Sequence, residues 1–301
     1  MRSSKAGKVC DRLWYLGREE SGIYLLEGER RSLIITGGMS YLAPMVIDQM
    51  SAFGIEEKGI GKMLILHAHF DHVGLFPFFK RRNPAIELYA SARAWEILRM
   101  PKGIETVNAF GRLVAERMGM TASLAGRDLE WRNDVAGTEV SEGDQIDLGG
   151  LTVRILETPG HSSCSISAYV PEIRALFPSD GGGIPYAGTI LPAGNSNYTQ
   201  YQESLRKLEP LEVDILCADH YGYVTGREAR GYISRSIAAA AEKRALIEAT
   251  YRRTGSIEET AAELVVEVYN RRPDYFLAPE IYAGVYRQTV RHIARALDKS
   301  A

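Results

Sequence analysis

Apolar residues along this chain fall into short bursts separated by polar turns until about residue 227, after which they recur at helical spacing. Leu13 to Leu16, Gly22 to Leu26 and Ser32 to Thr36 read as three strands joined by polar turns such as Gly28-Glu29-Arg30-Arg31, a texture of hairpins. Gly37-Gly38 breaks that texture. Leu42, Met45, Val46 and Met50 then recur as on a helix spanning Tyr41 to Phe53. Met63 to Leu66 is wholly apolar, as a strand covered on both faces must be, and Pro77-Phe78-Phe79-Lys80 opens a short helix behind it. Ile86 to Ala90 follows as a strand and Ser91 to Arg99 as a helix, which gives strand, loop, helix, strand.

From Pro101 to Arg127 the pattern is mostly helical, with Ile104, Val107, Leu113, Val114 and Met118 apolar. It predicts an inserted helical element near a site mouth or at a subunit contact; a plain packing helix fits equally well. Strands return at Thr138 to Val140, Gln145 to Leu148 and Leu151 to Glu157, the last two forming a hairpin about Gly149-Gly150. Further strands are predicted over Ser165 to Val170, Ala175 to Phe177 and from Val213 to about Cys217. Beyond Arg227 the texture is all helix: Glu228 to Arg253 with a stop at Gly255, a helix opened by the capping pattern Ser256-Ile257-Glu258-Glu259 and running to about Tyr269, and Pro279 to Leu297. The organisation expected is an α/β catalytic body over residues 1–226, a helical insertion at about 101–127, and a C-terminal helical cap or subunit interface over 227–301.

At 301 residues the chain is long for one core and short for two full-sized domains, which suits one large α/β domain with an appended helical segment. A net charge of -2, from 36 Lys and Arg against 38 Asp and Glu, removes any general electrostatic case for nucleic acid or a membrane surface. No apolar run is long enough to span a bilayer, and residues 1–20 lack the apolar core of a signal peptide. Cys10, Cys164 and Cys217, odd in number and far apart, argue against a disulfide framework. A reduced, cytoplasmic protein acting on a small molecule is the expectation, with a homodimer as one arrangement of its helical surfaces.

The candidate chemistry begins at the end of the Met63 to Leu66 strand, where His67, His69, Asp71 and His72 stand within six positions. Imidazoles at i and i+2 can be bent toward one cation. Asp71 and His72, leaving a helix start about 100° apart, suit a second cation beside it. His161 follows the rigid Thr158-Pro159-Gly160 turn. Asp180 ends a strand and precedes Gly181-Gly182-Gly183, where backbone can approach closely and a carboxylate can bridge two cations. His220 ends the strand that begins at Val213. Only His292, on the last helix, lacks such a setting, and it reads as structural; Cys217 reads as core.

These clusters, in this order over roughly Leu13 to Gly222, resemble the metallo-β-lactamase fold superfamily. The resemblance implies a four-layer αβ/βα sandwich of two mixed β-sheets with metals in a cleft at one edge. It implies that His67, His69 and His161 hold the first ion, that Asp71, His72 and His220 hold the second, and that Asp180 bridges them. Three positions depart from the family's pattern. Ile35 stands where an aspartate is usual in a run like IDTG, which removes an expected supporting carboxylate. Leu66 replaces a common threonine, and Cys164 a common glycine. The trailing helices and overall length are similar to glyoxalase II-like thioesterases and to the quinolone signal response protein of pseudomonads.

Two divalent cations, zinc first with iron or manganese as alternatives, would hold a bridging hydroxide at neutral pH and deliver it to a small ester, thioester or lactone. Asp71 is then placed to take a proton or aim the attacking oxygen. Tyr186, Tyr221 and Tyr223, near ligands in sequence, are candidates to steady the oxyanion of a bound substrate, with packing as their other role. Three rivals stand beside this reading: an iron-dependent oxidase or dioxygenase of the same fold, a regulatory binding protein that keeps the metal site, and, more weakly, a nuclease, which would want a basic groove.

Overall fold

Alternation along the first strands decides which side of a sheet each residue takes. In Leu13–Arg18 and Ser21–Glu27, the side chains of Leu13, Tyr15, Tyr24 and Leu26 enter one core, while Leu16, Ile23 and Leu25 enter another on the opposite face. The computed structural model of the protein describes residues 1–271, 275 and 277–298. Among them are two seven-stranded mixed sheets and one small two-stranded ribbon.

The N-terminal sheet runs, in spatial order, Gly7–Cys10, Leu13–Arg18, Ser21–Glu27, Ser32–Ile35, Ile60–Leu64, Glu87–Ser91 and Thr138–Val140. It is antiparallel up to Ser32–Ile35 and parallel beyond. The other sheet runs Arg2–Ser3, Tyr223–Thr225, Ile215–Cys217, Ala175–Phe177, Ile166–Val170, Thr152–Glu157 and Gln145–Asp147, with one parallel pair, Ala175–Phe177 beside Ile215–Cys217. Leu33, Ile35, Leu64, Val153, Ile166 and Phe177 fill the space between the sheets. On the outer face of the first sheet pack Ala43–Ala52, Phe76–Arg82, Ala92–Arg99 and Pro101–Arg117; on the outer face of the second, Leu208, Ala229, Tyr232 and Ile233 cover Leu176, Leu216 and Val224. The order helices, sheet, sheet, helices is the four-layer sandwich.

Several predicted elements change at their ends for identifiable reasons. The expected strand Met63 to Leu66 leaves its ladder after Leu64, yet Met63 and Ile65 still face the helices while Leu64 and Leu66 face the other sheet. The hairpin about Gly149 and Gly150 forms, both glycines taking the left-handed φ of 78° and 71° that its turn requires. The insertion is shorter than expected: its helix, Pro101–Arg117, stops before Gly119, which is left-handed at φ 67°, and only a short turn at Thr121–Leu124 follows.

Arg227–Arg230 and Tyr232–Thr254 are separate helices, divided at Gly231. Gly255 closes the longer one at φ 67°, its N–H bonded to the Tyr251 carbonyl at 2.8 Å. The Ser256 hydroxyl then accepts from the Glu259 N–H, as a helix N-cap should, and Ile257–Arg271 and Pro279–Asp298 follow. Leu264, Val290 and Ile293 of these helices share a core with Tyr198, Tyr201 and Leu205 of Tyr198–Leu208. No helix among the described residues is long and apolar enough to cross a membrane. The three cysteines are free, with Cys164 and Cys217 buried.

Candidate metal centre

The ligand-bearing loop starts where the two sheets are stitched together. After Ile60–Leu64 ends, the Leu66 carbonyl accepts from the Ile166 N–H of the other sheet at 2.9 Å, which fixes the point from which His67 projects. His69 is the extended N-cap of the one-turn helix Phe70–Val73, whose first turn carries Asp71 and His72. His161 follows Gly160, whose φ is 128° and where an added Cβ would lie 2.2 Å from the Tyr201 amide nitrogen, so only glycine lets this turn sit against that helix. Asp180 lies in the Ser179–Gly182 turn, and His220 lies just past Ile215–Cys217. Thr36, Ser179 and Tyr221, which touch or flank these residues, have left-handed backbones at φ 57°, 49° and 59°, strain of the kind that gathers at functional sites.

All seven predicted residues are brought together. His161 Nε2 stands 3.2 Å from His67 Nε2 and 3.0 Å from His69 Nδ1. His72 Nε2 and His220 Nε2 are 3.3 Å apart, with the Asp71 oxygens at 3.6 Å from the first and 3.5 Å from the second. Asp180 lies between the groups: Oδ2 is 3.6 Å from His161 Nε2 and 3.5 Å from His72 Nε2, and Oδ1 is 3.5 Å from His220 Nε2. His67, His69 and His161 could hold one metal ion, and Asp71, His72 and His220 another.

The proton positions required by the surroundings suit cations at both places. His161 Nδ1 donates to the Ala193 carbonyl at 2.7 Å and His220 Nδ1 to the Glu20 carbonyl at 2.6 Å. His72 Nδ1 donates to Asp219 Oδ2 at 2.8 Å, and His67 Nδ1 meets Ser179 Oγ at 3.0 Å while that hydroxyl donates to Asp219. Each of these rings therefore turns its Nε2 inward. Nitrogens crowded at such separations repel one another unless a proton or a metal cation lies between them. Asp180 Oδ1 points the same way, buried and without a hydrogen-bond partner. His67, His72 and Asp219 also lie close enough to form a third ligand group, but their facing His72 and Asp219 atoms already share a hydrogen bond.

Charge in the site is partitioned. Burial, reinforced by neighbouring imidazoles, pushes His67 far down and His69 to about 4; His161 also falls to about 4, burial outweighing the attraction of Asp180. Burial also pulls on His72 and His220, but the carboxylates of Asp71 and Asp180 outweigh it, and both rise. Burial tends to raise Asp180, yet His220 and His72 hold it well below the usual carboxylate range. One side of the site is thus a neutral nitrogen cluster and the other a carboxylate cluster that keeps positive charge.

Residues 17–220 match the family described as the metallo-beta-lactamase superfamily, and this stretch exceeds half of the chain. The chain belongs to the metallo-beta-lactamase superfamily. Among curated proteins it is 25% identical over 209 residues to a metallo-beta-lactamase fold-containing protein of Sulfurisphaera tokodaii, covering 69% of this chain and 75% of that one. It is 39% identical over 186 residues to a hydroxyacylglutathione hydrolase of Rhodopseudomonas palustris; that match spans 60% of this chain and only 56% of the relative's length. Among solved structures, a metallo-beta-lactamase family protein of Thermus thermophilus superposes with a TM-score of 0.68 over 98% of this chain and 96% of its own, at 18% identity, a likeness of fold.

A cavity of about 450 Å³ opens over His69, Asp71, His161, Asp180 and His220. The three tyrosines expected there do not line it. Tyr186 and Tyr221 meet edge to face, ring centres 4.7 Å apart, and border a separate depression with Arg2 and Glu19; Tyr221 sits in a left-handed turn directly after His220. Tyr223 lies on an inner strand and packs on Tyr15 between the sheets. Tyr275 and Tyr282, from the C-terminal segment, line the cavity in their place. His292 is half-buried on Pro279–Asp298 beside Arg291 and Arg295, away from the candidate ligands.

The departures from the family pattern also find their places. Ile35 and Leu66 are packed between the sheets. Cys164 is buried behind the ligand loop, where its sulfur accepts from the Ala68 N–H at 3.4 Å. The carboxylate missing at position 35 has a counterpart in Asp219, which supports His72 directly and His67 through Ser179. The sequence reading assigned no role to Asp219 or Ser179. The one signal was position: each immediately precedes a candidate ligand at a strand end.

Proposed function

We propose that this protein is a metal-dependent hydrolase that uses water to cleave a small ester, thioester or lactone. What supports the reading best is the set of inward Nε2 atoms, with every outward Nδ1 of His67, His72, His161 and His220 already engaged, at the floor of an open cavity. His67, His69 and His161 would hold one divalent cation, Asp71, His72 and His220 a second, and Asp180 would touch both; zinc is the first expectation, with iron or manganese as alternatives. Bound there, the cations supply Lewis acidity and bring the pKa of water they contact from 15.7 toward about 7.

The chain's own residues do the positioning. The carbonyls of Ala193 and Glu20 and the carboxylate of Asp219 hold the imidazoles in one tautomer and orientation, so no side chain has to reorganise during turnover. Asp71, fixed in the first turn of Phe70–Val73, offers acceptor oxygens on the cavity side that can aim the attacking water and take its proton. The hydroxyacylglutathione hydrolase among the relatives is named for cleaving a thioester, which favours acyl transfer to water over phosphoryl chemistry.

The test is turnover of thioesters and lactones by protein stripped with chelator and reloaded with zinc, iron or manganese. Activity should vanish with chelation, return with metal, and fall by at least 10³-fold in Asp71→Ala, since activated water and its orientation are lost together. Inertness of the fully loaded protein toward all of these substrates, or oxygen uptake in place of hydrolysis, would overturn the reading.

A further inference from the structure

Resting on the hydrolase reading above, we infer that the cavity accepts an apolar acyl chain, with the leaving group departing through its open side. Val107, Ile184 and Leu191 are buried in its wall, and Phe110, Ile281 and Val285 close it from two helices, Pro101–Arg117 and Pro279–Asp298. Among the described residues of the lining, apart from the candidate metal ligands, Lys102 is the one that is charged; it is exposed beside exposed Thr106 and so marks the side facing solvent. A carrier such as glutathione brings two carboxylates and an ammonium, and beyond the candidate ligands the described lining sets against them only the neutral Asn195, Tyr275, Tyr282 and Thr106 and, at the rim, Lys102. An acyl chain asks for no polar partner. The volume of about 450 Å³ lies in the range of pockets that enclose most of a small ligand, and it begins directly over His69, Asp71 and Asp180, so a carbonyl at the metals places its acyl substituent inside.

Direction follows from chemistry as well as shape. Hydrolysis adds water across the acyl bond: the carbonyl carbon gains an oxygen, the bond to sulfur or oxygen breaks, and the leaving thiol or alcohol takes a proton. The leaving carrier must escape before the next substrate enters. The exposed rim at Lys102 gives it that path, and the Lys102 ammonium can meet anionic groups of a carrier outside the cavity.

The experiment compares N-acetylcysteamine thioesters from acetyl to decanoyl, and lactoylglutathione, on zinc-loaded protein, with calorimetric binding of acetate, hexanoate and decanoate to loaded and metal-free protein. kcat/KM should rise about fourfold per added methylene until the cavity is full, with lactoylglutathione below the hexanoyl ester. Carboxylate binding should tighten with chain length in both forms of the protein. Val285→Trp, which fills the cavity from its C-terminal wall, should move the optimum to shorter chains. A flat series, or lactoylglutathione as the better substrate, overturns the acyl-chain inference while leaving hydrolysis intact. Chain-dependent binding with no turnover would sink the hydrolase reading and keep the pocket's preference; neither binding trend nor turnover would sink both.

Discussion

Asp219 accepts from the Nδ1 of His72 and from the Ser179 hydroxyl, which itself meets His67, so one carboxylate steadies an imidazole of each candidate group. Replacing it leaves those rings free to rotate and change tautomer. Asp219→Ala should weaken metal binding by about 10- to 100-fold, with Asp219→Asn between it and the parent, in competition against a chromophoric chelator. Unchanged affinity in both variants would show the contact to be incidental. Gly160→Ala meets the Tyr201 backbone at a backbone angle only glycine takes easily, and should cost about 2–4 kcal/mol in denaturant unfolding while displacing His161. The seven candidate ligands were legible because few other residues suit a borderline-soft cation and all stand at strand ends or turns. Asp219 was not, because its partner lies 147 positions away in the chain. The tyrosine expectation failed for a related reason: nearness in sequence to a ligand says nothing about direction once a left-handed residue such as Tyr221 reverses the chain.

At the scale of elements, Ser91 joins three of them. Its hydroxyl accepts from the Ala94 N–H as the N-cap of Ala92–Arg99 and donates to the Cys164 carbonyl at 2.8 Å, tying the N-terminal sheet to the turn after His161. Ser91→Ala should therefore lower stability by about 1–2 kcal/mol, measured as a shift in denaturation midpoint at constant slope. Glu142 makes a similar tie between the end of Thr152–Glu157 and Tyr198–Leu208. Burial tends to raise its carboxyl, but Lys207 and the Glu157 N–H together outweigh burial and hold it below its ordinary value. A lowered folded pKa means stability present above the ordinary carboxylate range and lost as pH falls through the folded value. Glu142→Gln and the parent should thus differ in thermal midpoint near neutrality and converge in acid; a constant gap across pH would refute the tie. Strand positions were legible from alternation, while the end of the Ile60–Leu64 ladder was not, since residues 65 and 66 keep the same apolar alternation after their pairing partner changes.

At the scale of the molecule, two sheets bring together residues spread from position 67 to 220, and helices on either side of the open cavity decide what can reach them. The α/β texture and the trailing helices were readable from strand and helix alternation, and the layered sandwich was what the resemblance carried by the metal-binding motifs implied. The cavity's composition was not, because the wall formed by Ile281, Tyr282 and Val285 comes from a helix whose sequence shows only ordinary amphipathic spacing. The central claim is that the nitrogen cluster and the carboxylate cluster each take a cation. Crystals grown with zinc and measured on both sides of its absorption edge address it directly: two anomalous peaks are predicted, one among His67, His69 and His161 and one among Asp71, His72 and His220, with Asp180 between them. A map with no peak at either place, or with a single peak at His67, His72 and Asp219, would contradict it.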